Sequence, residues 1–97
     1  MPRAQDLLDE AISITKTAAA GLPDAGLTER AETLTAHWGE QREKFFFKSL
    51  AGVPLANKAK KAALALADGG GEAAVAALEA LAAEIDEKSD APGTVLT

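Results

Sequence analysis

The sequence predicts an all-α protein, a small antiparallel four-helix bundle. Three observations carry this expectation. Alanine supplies about a quarter of the 97 residues while tyrosine and cysteine are absent, a bias toward helix over strand. Apolar residues recur at spacings of three and four in four separate stretches, and clusters of glycine and proline stand between them. Helices of this length bury their apolar stripes only by packing on one another. A chain of this size forms one domain, here residues 1–88, with 89–97 expected as a flexible or docked C-terminal tail.

The first helix is expected over 4–20, where Ala4, Leu8, Ala11, Ile12, Thr15 and Ala19 share one face and Leu7 and Ile14 widen it. Asp6, Asp9 and Glu10 sit early and Lys16 late, as the helix dipole favours. The run from Gly21 to Gly26, with Pro23 inside it, ends this helix. A second helix is expected over 28–51, with Thr28 as N-cap, Leu27 packed on its first turn, and Leu27, Ala31, Leu34, Trp38 and Phe45 on its inner face. Gly52-Val53-Pro54 interrupts the pattern, and Pro54 suits the opening of a third helix over 54–68. Leu55, Ala59, Ala62 and Leu66 face inward on it, while Leu64 falls outside among Asn57, Lys60 and Lys61. Gly69-Gly70-Gly71 is a turn, and a fourth helix over 72–88 presents Val75, Leu78, Ala82 and Ile85. Ala59, Ala63 and Ala67, opposite Ala73, Ala76, Ala80 and Ala83, suggest a close hairpin of the last two helices. The other reading of these alanines is that they are helix formers on solvent faces.

All three phenylalanines stand together in Lys44-Phe45-Phe46-Phe47-Lys48. On a continuous second helix with Leu34 at the origin, Phe45 falls at about 20°, within the inner stripe, and Phe46 at about 120°, on its shoulder. Phe47 falls at about 220°, among Glu29, Ala36, Glu40 and Glu43, and Leu50 at about 160°. A helix end that is apolar all round must be covered. Either the following helix or the tail, through Val95 and Leu96, covers Phe47, or another protein chain does.

Charge is segregated along the chain. Residues 1–41 carry a net −4, residues 42–61 a net +5 and residues 62–97 a net −6, within an overall −5. The basic segment contains Arg42, Lys44, Lys48, Lys58, Lys60 and Lys61, and with them the aromatic run. These cations either meet an acidic partner or are neutralised by the acidic helices of the same chain. The expected function is therefore a non-enzymatic protein–protein interaction module, an adaptor, regulatory or assembly subunit. Its expected contact surface is Phe46, Phe47, Leu50 and Leu64, edged by Lys44, Lys48, Lys60 and Lys61, and its partner another protein or a second copy of itself.

Other functions find less in the residues. Nucleic-acid binding would use segment 42–61, but the chain is acidic, with a pI near 4.8, and alanines stand where a base-reading helix needs polar side chains. Membrane-surface binding would use the same lysines with Phe46, Phe47 and Leu64, yet no single helix joins a broad apolar face to a basic rim. His37 has only Glu32, Glu40 and Glu43 nearby, too few convergent ligands for a metal site or acid–base pair. The triple glycine lacks the lysine and hydroxyl of a phosphate loop, and Ser13, Ser49 and Ser89 have no base at a readable spacing. No cofactor or metal is expected, and no catalytic residue. With no cysteine and no apolar run long enough for a signal core or a membrane span, the expected compartment is the cytoplasm.

Overall fold

In the computed structural model, residues 3–89 are described, and they form five helices and no strand. These are α1 (Ala4–Ala20), α2 (Ala25–Gln41), α3 (Phe45–Lys48), α4 (Val53–Ala67) and α5 (Glu72–Ser89), with a 3-10 turn over Leu50–Gly52 between α3 and α4. The expected tail anchors Val95 and Leu96 lie outside the described residues.

α1 has the expected bounds, and its stripe of Ala4, Leu7, Leu8, Ala11, Thr15 and Ala19 is buried. α2 differs at both ends. Asp24 caps it, not Thr28: the Asp24 carboxylate accepts hydrogen bonds from the backbone of Gly26 at 2.7 Å and Leu27 at 3.3 Å. Asp caps as well as Thr and comes first in the chain. The Thr28 hydroxyl instead donates to the carbonyl of Ala19 at 3.1 Å, tying the start of α2 to the end of α1.

The larger difference is at the C-terminal end. The expected single helix over 28–51 is three pieces, because the chain leaves the helix after Gln41 and re-enters it at Phe45. Neither glycine nor proline stands at the break. α1 holds it open instead: the Gln5 amide donates to the Arg42 carbonyl at 2.8 Å, and the Arg42 guanidinium lies 2.6 Å from Asp9. A carbonyl satisfied by a side chain no longer needs the helical donor four residues on. Ser49 then closes α3 and opens the 3-10 turn, its hydroxyl donating to the Phe46 carbonyl at 3.0 Å and accepting from the Ala51 amide at 3.3 Å.

Each of the four long helices packs on two others: α1 and α5 both lie between α2 and α4. α2 and α4 therefore face each other across the core instead of packing side by side. The most extensive contact is between α1 and α4. On α4 Ala56, Ala59 and Ala63 are fully buried, while α5 turns Val75, Leu78, Leu81 and Ile85 inward. Ala73, Ala76, Ala80 and Ala83 are exposed, so the two alanine faces do not meet in the α4–α5 hairpin. That hairpin turns at Gly69, whose φ of 99° is the left-handed region that glycine enters at no steric cost. Among the described residues no helix is long and apolar enough to cross a membrane.

Candidate interaction surface

The break after Gln41 resets the phase of every residue that follows, and the aromatic run is rearranged accordingly. Phe45, expected in the core, is 51% exposed. Phe46 and Phe47 are 7% and 1% exposed and belong to the main core, their rings edge to face with centroids 5.2 Å apart. Such a pair contributes beyond the area it buries. Phe47 is thus covered by its own chain, and it and Phe46 are not on the expected contact surface. On a continuous helix Phe47 would have faced solvent among glutamates. In a separate short helix it turns toward the core that also holds Trp38 and Leu55.

The other expected surface residues are not brought together either. Leu50 is 81% exposed and lines a depression at the start of α1 with Arg3, Gln5 and Lys48. Leu64 is 49% exposed and lines a separate depression with Leu22, Pro23 and Gly69, at the far end of α4. Val53 and Leu64 are eleven residues apart in sequence, about 17 Å along the helix axis, so the two leucines belong to different surfaces.

The expected neutralisation of the basic segment by acidic helices is partly present. Arg42 pairs with Asp9 and Glu43, Lys60 with Glu10 at 3.5 Å and Lys58 with Glu84 at 3.7 Å. Lys44 lies near enough to Asp86 to favour its ionised form. Lys48 and Lys61 are exposed and form no ion pair among the described residues.

A second constellation lies in the groove between α2 and α5, over Leu34 and Ala82. Arg30 grips Glu79 through two hydrogen bonds, 3.1 Å from Nε and 2.6 Å from Nη2, and reaches Glu72 at 2.6 Å from Nη1. This bidentate bond holds the Glu79 carboxyl below the ordinary carboxylate range. Two turns further along, His37 Nε2 lies 2.9 and 3.2 Å from the two carboxylate oxygens of Asp86, and the buried Gln41 amide donates to Asp86 at 2.7 Å. Asp86 is likewise held low, chiefly by its bond with His37. The sequence reading set His37 beside Glu40 and missed Asp86, 49 residues away. No local spacing announces that pairing, which exists because α5 packs along α2. The groups satisfy one another across the groove and act as a clasp between two helices. Among the described residues no three metal-ligating side chains converge.

What remains for a partner is the segment Phe45–Leu50. Phe46 and Phe47 fix it to the core, the Ser49 hydroxyl bonds back to Phe46, Gln5 holds Arg42 ahead of it, and Phe45, Lys48 and Leu50 are exposed. Compared with protein-family models, with curated proteins and with solved structures, the chain matches none.

Proposed function

We propose that this protein is a protein–protein interaction module, non-enzymatic, built as an antiparallel bundle of its four long helices and docking through the short segment between α2 and α4. The apolar anchors are Phe45 and Leu50, with Lys48 beside them for an acidic group of the partner. The observation that supports this reading is the exposure of Phe45 and Leu50 on a segment whose other two aromatics lock it to the core. A rigid segment loses little conformational entropy on binding, and aromatic and aliphatic anchors on a fixed frame make good hot spots. Lys44, Lys60, Lys61 and Leu64, part of the surface first expected, lie outside this one. Nucleic-acid binding has less support, because Arg42, Lys58 and Lys60 already face Asp9, Glu84 and Glu10 of the same chain.

The test is capture from an extract of the native host on immobilised protein, comparing the unaltered chain with Phe45→Asp/Leu50→Asp and with Leu64→Asp. Circular dichroism checks that each variant keeps its helicity. Proteins retained by the unaltered chain and by Leu64→Asp, and lost by the double variant, support the segment as the docking surface. Identical capture by all three rules it out. Retention on anionic vesicles that depends on Phe45 and Leu50, without any captured protein, replaces this reading with the membrane-surface one.

A further inference from the structure

The outer face of α4 is an unpartnered helix face with an apolar anchor. Asn57, Lys61, Leu64 and Ala65 are exposed there, and the helix contains no acidic residue. Lys58 and Lys60 flank it, each leaning at 3.7 and 3.5 Å on an acid of a neighbouring helix, and Lys61 at its centre has no ion pair among the described residues. Across the molecule the outer face of α2 has the opposite character. Glu29, Glu32 and Glu40 are exposed there and form no ion pair among the described residues. Between the glutamates no bulky side chain stands out: Ala36 is exposed, the Cβ position of Gly39 has nothing within 4 Å, and Ala36 and Glu32 line a depression shared with Lys16 and Thr35. Because α1 and α5 separate α2 from α4, a single chain cannot bring these two faces together.

We infer that the α4 face docks a second copy of this chain, which presents its α2 face. Leu64 of one copy lies over Ala36 and Gly39 of the next, and Lys61 stands between Glu32 and Glu40, which are two helical turns apart and flank that patch. The facing potentials are complementary, which steers approach and fixes which faces meet. Like faces repel, α2 against α2 and α4 against α4, so a symmetric pair is disfavoured. The contact is heterologous, and since its two halves lie on opposite sides of one protomer it propagates head to tail. It leaves Phe45 and Leu50 free, so the assembly would display the proposed docking segment repeatedly along its length.

Light scattering of the purified full chain tests this, from about 10 µM to about 1 mM protein, the range in which a small interface of modest affinity is populated. At roughly 10 mM ionic strength, where the screening length is about 30 Å, the mean mass rises with concentration above that of the monomer; at about 1 M salt, where it is about 3 Å, it returns to the monomer. Lys61→Ala/Leu64→Ser blanks the α4 face and Glu32→Gln/Glu40→Gln blanks the α2 face, all at exposed positions. Each variant alone stays monomeric, and an equimolar mixture forms a pair that grows no further, because each supplies the face the other lacks. A monomer mass at every concentration and salt overturns the inference, as does association of either variant alone to the extent of the unaltered chain. So does a mixture that stays monomeric. None of these outcomes depends on capture through Phe45 and Leu50.

Discussion

A side chain on Gly52 would collide with Phe47: the position of a Cβ there lies 2.9 Å from Cδ1 of the Phe47 ring and 2.6 Å from the carbonyl oxygen of Phe46. The backbone of Gly52 is the lid on the aromatic pair. Gly52→Ala should therefore destabilise the fold by about 1–3 kcal/mol, the usual effect of overpacking, although alanine is the better helix former. A lowered midpoint in urea denaturation with an unchanged slope checks this. A midpoint equal to that of the unaltered chain would mean that Phe47 is not packed under Gly52.

The three phenylalanines should separate sharply in stability. Phe47→Ala removes a fully buried ring and costs about 3–5 kcal/mol. Phe45→Ala, at a half-exposed position, stays within about 0.5 to 1 kcal/mol of the unaltered chain. Thermal unfolding of the two variants side by side reads the difference. Equal losses would contradict the assignment of Phe45 to the surface.

Helix α2 begins at its Asp24 cap, so Asp24→Ala should cost about 1 kcal/mol, through two backbone donors left without their acceptor. Asp24→Asn should restore most of it, since the amide oxygen accepts the same bonds. An alanine variant as stable as the unaltered chain would return the cap to Thr28.

Stability should decline in acid through Asp86 and Glu79. Both carboxyls are held below the ordinary range, Asp86 chiefly by its bond with His37 and Glu79 by its bonds with Arg30. A carboxyl with a folded-state pKa below its unfolded value stabilises the fold above that unfolded value, near 4, and the contribution disappears as pH falls through the folded pKa. The denaturation midpoint should thus be level above about pH 5 with respect to these two groups and fall below about pH 4. Because Asp86 is 43% exposed, screening keeps its share under about 1 kcal/mol. Asp86→Asn should make the acid slope shallower, and an unchanged slope would remove Asp86 from the account.

The all-helical character and the positions of α1, α4 and α5 were legible in the sequence, because strong three- and four-residue periodicity ends at Gly21, Gly52 and Gly69. The division of the second helix was not. Arg42, Glu43 and Lys44 are ordinary helix residues, and the forces that part the helix there come from Gln5 and Asp9, 37 and 33 residues away. A wheel drawn straight through the break carries its phase error into every later residue, which is how Phe45 and Phe47 exchanged places. The third phenylalanine is covered, and part of its cover is the chain's own turn at Gly52. The surface suffered most, since Leu50 and Leu64 share a patch only if the intervening segment is ignored. The clasp of His37 with Asp86 was beyond reach for the same reason: it is created by packing between helices far apart in sequence.

The segment between α2 and α4 divides its aromatics, two inward and one outward. The most direct measurement is solvent paramagnetic relaxation of the phenylalanine ring protons, with a soluble spin probe and phenylalanine-labelled protein, since the chain holds three such rings. Strong relaxation of Phe45 with Phe46 and Phe47 protected is the expected result. Relaxation of Phe47 as strong as that of Phe45, or protection of Phe45 with Phe47 exposed as on an unbroken helix, would contradict it.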